Sequence, residues 1–252
     1  MIERDRMIKK ISLPANQVIA SCSSTNDLIK ELGENGYSHG TWISARVQDA
    51  GRGRLGRVWE SREGNLFLSV LLRPGSDRWL SWVPLAVAVA VARALETQFP
   101  ELESKIKWPN DLWLGSRKFA GILCESRIAG EAANSFVAVG IGVNCVSAPE
   151  GAVSLSEKLG RDVFADEIRM PVLKRVIAAV DQLFASGPEI VKTEYNKKAL
   201  FKSGLEVQWD GGSGRVVGLG ACGELLVSLG QNVKGIFAED VSMTRLKSRA
   251  NI

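Results

Sequence analysis

The chain reads as an α+β domain carrying a small all-β appendage. Three observations predict this. Short strand-like runs and one long apolar helical stretch alternate through the first two hundred residues. Two further helical segments then follow in succession. After Phe201 the texture changes to short apolar runs separated by glycine-rich turns, which is the pattern of a small β-barrel. The elements come in the following order. Gln17–Cys22 reads as a strand. Ser23, Ser24 and Thr25 are N-cap candidates for a helix reaching about Leu32, with Gly33 as its stop. Thr41–Val47 is a second strand. Gln48–Asn65 has no clear period and is rich in Gly and Arg, so it reads as a long loop, a kind of segment that tends to be functional. Leu66–Leu72 has the composition of a buried strand, closed by Arg73-Pro74-Gly75. Ser81–Gln98 has helix length, with Pro84 in its first turn. Leu112–Leu114 and Phe119–Glu125 pair around Gly115-Ser116. Phe136–Val143 is a strand, and Glu167–Ser186 and Glu189–Phe201 are helices parted by Gly187-Pro188. Leu205–Trp209, Gly214–Leu219, Glu224–Ser228 and Gly235–Val241 are the strands of the tail.

Composition narrows the chemistry. Apolar residues make up 45% and charged residues 24% of the 252 residues, enough for a sizeable core and against global disorder. The net charge of +4 does not by itself point to nucleic acid. Four widely spaced cysteines, Cys22, Cys124, Cys145 and Cys222, form no C-x-x-C, so neither a disulfide framework nor a zinc site is expected. His39 is the one histidine, which rules out Ser-His-Asp and Cys-His catalysis unless His39 is itself the base. The start, Met1–Lys10, is charged and is followed by no apolar stretch of the kind an export signal needs. The apolar run Val83–Ala92 is too short to span a bilayer. A cytoplasmic protein is expected.

Basic charge is concentrated locally, in Arg46, Arg52, Arg54, Arg57 and Arg62 against Asp49 and Glu60. Gly51, Gly53 and Gly56 match G-x-G-x-x-G, but no helix opens there, as a dinucleotide fold requires. Arg57 and Val58 stand where a Walker A loop needs Lys and Ser/Thr. A protein kinase would need an H-R-D loop, whereas His39 is followed by Gly-Thr. What remains is physical: glycines let backbone N–H groups approach a phosphate, and arginines supply forked donors for phosphate or carboxylate. Such a loop suits an anionic ligand that it closes over; a solvated basic loop is the alternative.

Three more blocks follow the same order as a known family. Lys107-Trp108-Pro109-Asn110-Asp111, then Lys118-x-x-Gly121-Ile122-Leu123, then Gly140-x-Gly142-x-Asn144, all downstream of G-R-G-R-x-G-R-x-W, resemble the catalytic domain of biotin protein ligases over roughly Val18 to Asn144. The resemblance implies a class II synthetase-like domain at 1–202, with a mixed, largely antiparallel sheet packed with helices, and an SH3-like barrel at 203–252. It implies activation of biotin by ATP and Mg²⁺ to biotinyl-5′-AMP, then transfer to a lysine of a biotin carboxyl carrier protein of acetyl-CoA carboxylase.

Position by position, Ser24, Thr25, Asn26, Gln48, Gly121 and Gly140 resemble biotin-contacting positions. Arg52, Gly53 and Arg54 resemble the loop that orders over biotin and its adenylate. Arg57, Trp59, Asn110 and Asn144 resemble adenylate contacts, and Lys118 resembles the lysine at the biotin carboxyl and developing acyl phosphate. Lys118, Arg54 and Asp111 are the catalytic candidates, Asp111 for orienting the incoming amine or contacting a metal; no metal-ligand set is assigned. Leu55 departs from the family, where some members carry arginine. About sixteen residues before the first strand leave no room for a helix-turn-helix, so neither DNA nor a membrane is expected as a partner. Members of the family often pair through the catalytic sheet, which keeps a homodimer open. Bland alternatives stand beside these assignments. Ser24-Thr25-Asn26 could be a plain helix cap, Lys118 a surface lysine at a hairpin, and Trp108 and Trp113 core or pocket wall. Rival functions are a lipoate or octanoate transferase, a non-catalytic biotin sensor, or a basic-loop RNA binder.

Overall fold

A computed structural model describes residues 15–128, 135–237 and 240–243. The charged start of the chain, on which the reading of an absent export signal rests, lies outside the described residues.

Seven strands form the main sheet: β1 (Gln17–Cys22), β2 (Trp42–Gln48), β3 (Leu66–Leu72), β4 (Ser104–Lys107), β5 (Asp111–Leu114), β6 (Arg117–Arg127) and β7 (Phe136–Val143). Their order is β1-β2-β3-β7-β6-β5-β4. Only β1 and β2 run parallel, joined through the helix α1 (Thr25–Glu34); every other pair is antiparallel. The sheet is therefore mixed and largely antiparallel, as the family pattern implies.

Side-chain alternation sorts β3 into two faces. Leu66, Leu68, Val70 and Leu72 join the large core with α2 (Val83–Gln98), while Leu71 joins Ile29 and Leu32 of α1 on the opposite face. β7 repeats the pattern: Val137, Val139, Ile141 and Val143 enter the large core, and Phe136 and Ala138 pack with α1. After α3 (Leu155–Leu159), α4 (Ala165–Ser186) and α5 (Glu189–Lys198) lie against α2. The stretch Leu80–Gln98 is long and apolar enough to cross a membrane by length and composition. However, 67% of its most apolar window is buried inside the protein, which makes it a core helix.

The tail forms a separate antiparallel sheet of β8 (Glu206–Trp209), β9 (Gly212–Leu219), β10 (Leu225–Leu229), β11 (Asn232–Ile236) and β12 (Ser242–Met243), ordered β11-β10-β9-β8-β12. Its turn at 220–223 docks on the main domain. The Trp82 indole donates to the Ala221 carbonyl at 2.9 Å, and the Trp108 indole donates to that of Gly223 at 2.9 Å. Burying one indole removes roughly 150–250 Å² from water. At about 25 cal/mol per Å² that is on the order of 4–6 kcal/mol as an upper bound.

Four element readings need correction. Gly33 does not end α1. It sits inside the helix because a Cβ there would lie 2.8 Å from the Phe136 ring, and the left-handed residue that follows the helix is Gly36, at φ 77°. The second of the late helices stops at Lys198, because Ala199 turns to bridge Ile106 of β4. β4 itself was not foreseen; its four residues, alternating Ser, Lys, Ile, Lys, are too few to show a period. The fourth tail strand lies at Asn232–Ile236 rather than Gly235–Val241, a fifth follows at Ser242–Met243, and 238–239 lie outside the described residues.

Candidate active site

One cleft opens on the α1 face of the main sheet, at the N-terminus of α1, and spans about 940 Å³ out to its mouth. Its floor is built by alternation. Gly140 and Gly142 of β7, Gly121 of β6 and Ser69 of β3 share one side of the sheet and line the cleft. The three glycines are there because other side chains lie on them. A Cβ at Gly140 would meet Asn26 Oδ1 at 2.6 Å, at Gly142 the Trp59 ring at 2.5 Å, and at Gly121 both Trp59 at 2.9 Å and Lys118 Nζ at 3.0 Å.

A polar network closes one end. Ser24 is the N-cap of α1 but makes no side-chain cap bond. Gln48 Oε1 does the capping instead, accepting from Thr25 N at 2.8 Å and lying 3.0 Å from the Thr25 hydroxyl. The Thr25 and Ser69 hydroxyls are 2.7 Å apart, and Ser69 donates to Asn26 Oδ1 at 2.8 Å. Asn26 in turn donates to Glu125 at 2.8 Å. Thr25, Asn26 and Ser69 are all buried, so each hydroxyl and amide is oriented by its neighbours rather than by water.

The arginine segment forms a flap over the other end. It is a narrow hairpin, not a structureless loop: Trp59 N donates to Gly51 O at 2.9 Å, Gly53 N donates to Arg57 O at 2.8 Å, and Arg52 bridges Val58. Gly51 is required because a Cβ would lie 2.6 Å from Trp59 O. The tip is a 3-10 turn over Arg54–Gly56, in which Leu55 takes φ 56° and Gly56 φ 72°. For leucine that left-handed conformation costs roughly 1–2 kcal/mol, and such strain concentrates at functional loops. The Leu55 side chain is 69% exposed.

The flap arginines point different ways. Arg52 gives both terminal nitrogens to Asp27 of α1. Arg57 pairs with Asp240, which precedes β12 of the tail sheet and lines the cleft. Arg54 turns inward and donates to Asn110 Oδ1 at 3.0 Å. Burial lowers the Arg54 pKa, outweighing the opposite pull of Asp111 and Asp240. A partly desolvated guanidinium of this kind gains from an anion placed beside it. Burial alone would raise the Asp240 carboxyl, but Arg57, Lys107 and Arg54 outweigh that and hold it below the usual carboxylate range.

Facing the flap from β6, Lys118 Nζ lies 2.7 Å from Asp111 Oδ1 and 5.1 Å from the centroid of the Trp59 ring. Lys107, second in charge on this wall, stands over Trp113 and 4.0 Å from Asp240. Asn110 spends its amide on Arg54 and on the Ile122 carbonyl.

The cleft thus brings together Ser24, Thr25, Asn26, Gln48, Arg52, Gly53, Arg54, Arg57, Trp59, Asn110, Asp111, Lys118, Gly121 and Gly140. Asn144 is not among its lining residues. Alternation would have kept it on the glycine face, but β7 ends at Val143. The buried Asn144 amide donates to the Val153 carbonyl at 3.4 Å while its backbone ties Phe119 to Leu155. Trp108 is pocket wall and Trp113 is not lining. His39 lies elsewhere, accepting from Arg73 N and facing Asp181. Sequence reasoning missed Ser69, Gly142, Lys107 and Asp240. Ser69 had a signal, a lone hydroxyl in the apolar run Leu66–Leu72. Gly142 and Lys107 stood inside quoted motifs. Asp240 had none.

Among the described residues no cluster of three acidic, histidine or cysteine side chains could hold a metal. Mg²⁺ in nucleotide enzymes is held largely by phosphates with one or two carboxylates. The carboxylates lining this cleft are Asp111 and Asp240, which fits a magnesium ion that arrives with its nucleotide.

Comparison with known proteins agrees with this geometry. Residues 18–144 match the model of the Biotin/lipoate A/B protein ligase family. The chain is 30% identical over 240 residues to the bifunctional ligase/repressor BirA of Bacillus subtilis, covering 88% of this chain and 71% of that one. It is 30% identical over 239 residues to a biotin–[acetyl-CoA-carboxylase] ligase of Mycobacterium tuberculosis, covering 89% and 87%. Among solved structures it resembles the biotin protein ligase from Aquifex aeolicus in complex with biotin and ATP, with a TM-score of 0.77 and 31% identity over 90% of this chain and 98% of that one.

Proposed function

Because this chain belongs to the biotin/lipoate A/B protein ligase family, we infer that it is a biotin protein ligase. It activates biotin with ATP to biotinyl-5′-AMP and diphosphate, then passes the biotinyl group to a lysine of the biotin carboxyl carrier protein of acetyl-CoA carboxylase. The observation that carries this reading is a cleft in which an inward arginine and a facing lysine flank a glycine floor beside a buried polar network.

In the first step a carboxylate oxygen attacks the α-phosphate and diphosphate leaves. Two like charges ~4 Å apart repel by about 4 kcal/mol at an effective dielectric of 20. Arg54 and Lys118 are positioned to offset that repulsion and to hold charge building on the phosphate. Lys118 is neutralised by Asp111 until an anion replaces the carboxylate beside it. Bound magnesium supplies further charge neutralisation at the triphosphate. The Trp59 ring, lying on Gly121 and Gly142, covers the floor and helps keep water from the mixed anhydride. In the second step a neutral lysine amine attacks the acyl carbon and AMP leaves, with Asp111 orienting the amine. The network of Thr25, Asn26, Ser69 and Gln48 suits the ureido ring of biotin, whose N–H and C=O groups can pair with it. The lipoyl head carries no ureido N–H or C=O and would gain none of these bonds, which disfavours it.

Within this reading Ser24, Thr25, Asn26, Gln48, Gly53 and Gly140 contact biotin, and Arg54, Arg57, Trp59 and Lys118 contact the adenylate. The catalytic unit takes 1–202 and an SH3-like unit takes 203–252. The protein acts in the cytoplasm, and the catalytic sheet is the face through which a homodimer would form.

The test is incubation of the purified protein with a carrier domain, biotin, ATP and Mg²⁺, read by mass spectrometry. A biotinyl increment on one lysine that needs ATP, and no increment when lipoate replaces biotin, is expected. Absence of any AMP-linked biotin would remove the assignment.

A further inference from the structure

The first two turns of α1 carry charges, Asp27 and Lys30, that the chemistry above does not use. Asp27 accepts from Arg52 at 2.8 and 2.5 Å, a two-point grip that fixes the plane of the guanidinium as well as its place. The same carboxylate oxygen that receives the shorter of these bonds lies 2.9 Å from Lys30 Nζ. Lys30 also donates to Glu125 Oε1 of β6 at 2.9 Å, and Glu125 Oε2 accepts from Asn26 at 2.8 Å. Arg52, Asp27, Lys30, Glu125 and Asn26 therefore form an unbroken chain. It runs from the root of the flap to the closed end of the cleft, with charges alternating in sign along it.

This placement changes what Arg52 does. Its charge is already matched by a carboxylate outside the catalytic groups, so its guanidinium serves the flap rather than the reacting anions. An exposed pair with both partners more than a third accessible is worth little alone. A chain in which Asp27 and Glu125 each take two donors loses less side-chain freedom per contact than separate pairs would. The shift of the Asp27 carboxyl to about 2, caused first by Arg52 and then by Lys30 against the opposing effect of burial, agrees with that arrangement.

We propose that Asp27 is a positioning residue that anchors the flap through Arg52 and, by way of Lys30 and Glu125, couples that anchor to Asn26 at the closed end of the ligand cleft. It touches no reacting atom. The coupling to ligand rests on the biotin ligase reading; the anchoring does not.

The experiment compares full-length wild type with Asp27→Asn, Asp27→Glu, Glu125→Gln and the double variant Asp27→Asn/Glu125→Gln. Two quantities are read: the rate of tryptic cleavage after Arg54 and Arg57 without ligand, and the dissociation rate of preformed biotinyl-adenylate. In Asp27→Asn both rates are expected to rise about fivefold, the equivalent of roughly 1 kcal/mol, with the melting temperature little changed. Asp27→Glu, which keeps the charge, is expected to restore most of the difference. The double variant should show less than the product of the two single effects, because each single change already breaks the chain. Wild-type rates in Asp27→Asn would overturn the anchor, and strictly multiplicative effects would overturn the coupling. If Asp27→Asn does not fold, Glu125→Gln and Asp27→Glu carry the same comparison. A wild type that forms no adenylate would count against the biotin ligase reading, while flap cleavage would still decide the anchor.

Discussion

Replacing Gly142 by alanine tests the packing of the cleft floor most directly. A methyl group there would lie 2.5 to 2.8 Å from three atoms of the Trp59 indole. Carbon atoms prefer separations of roughly 3.5–4 Å, so the ring must move by about 1 Å or leave. Overpacking of this kind costs about 1–3 kcal/mol. Alanine suits a strand interior better than glycine by roughly 0.5–1 kcal/mol, but that gain is common to the open and closed sites and does not offset the clash. The contact of Lys118 with the ring adds a further loss of about 0.5–2 kcal/mol. The net is on the order of 2 kcal/mol, or about 30-fold.

The penalty falls on the closed site rather than on folding. Trp59 belongs to the flap and can swing outward. Its Nε1, buried without a hydrogen-bond partner among the described residues, gains water when it does. Gly142→Ala should therefore release preformed biotinyl-adenylate about 30-fold faster, with a melting temperature near that of wild type. The assay is single-turnover dissociation of labelled adenylate, with thermal unfolding in parallel. An unchanged release rate would show that Trp59 does not seat over the ligand. A large fall in melting temperature with unchanged release would show that the floor is structural only.

Other expectations follow from the same geometry. Lys118→Ala should lower biotin-dependent diphosphate exchange by on the order of 10²-fold or more, and unchanged exchange would reject its role. Lys118→Arg should recover only part of this, because the wider guanidinium must fit over Gly121 and under Trp59. Trp82→Phe leaves the Ala221 carbonyl without its donor. It should lower stability in urea by about 1–3 kcal/mol from that bond, plus a cavity term; an unshifted midpoint would mean that the tail sheet is held by other contacts. At pH 8 a short iodoacetamide pulse should modify Cys222 first. That thiol is exposed, whereas burial, with lesser help from acidic neighbours, pushes the Cys22 thiol to about 11 and the Cys124 and Cys145 thiols to about 12. Equal labelling of Cys22 would contradict this.

Much of the site could be read from local patterns because its residues cluster in four short blocks. Lys118 and Asp111 are seven residues apart and meet across one hairpin. Arg57 and Asp240 are 183 positions apart, and no local period could pair them; only docking of the tail sheet brings that carboxylate to the flap. Gly33 shows the opposite failure. A glycine near a helix end signals a stop, yet here a facing phenylalanine ring requires it inside the helix. Ser69 was legible and passed over, since a hydroxyl in a run of buried aliphatic residues must be bonded to something. The hairpin character of the flap was hidden because its cross-links are backbone bonds among glycines and arginines, which carry no side-chain alternation.

The helix α2 has a consequence for synthesis. Its buried residues occupy almost every turn from Val83 to Leu95, and its main helical partner, α4, begins only at Ala165. At translation rates of roughly 5–20 residues per second, the sixty-six residues between Gln98 and Ala165 take about 3–13 s to emerge. For that interval the sheet strands can cover one side of α2, but the side that α4 will occupy lacks its partner, so the nascent polypeptide should engage chaperones at this point.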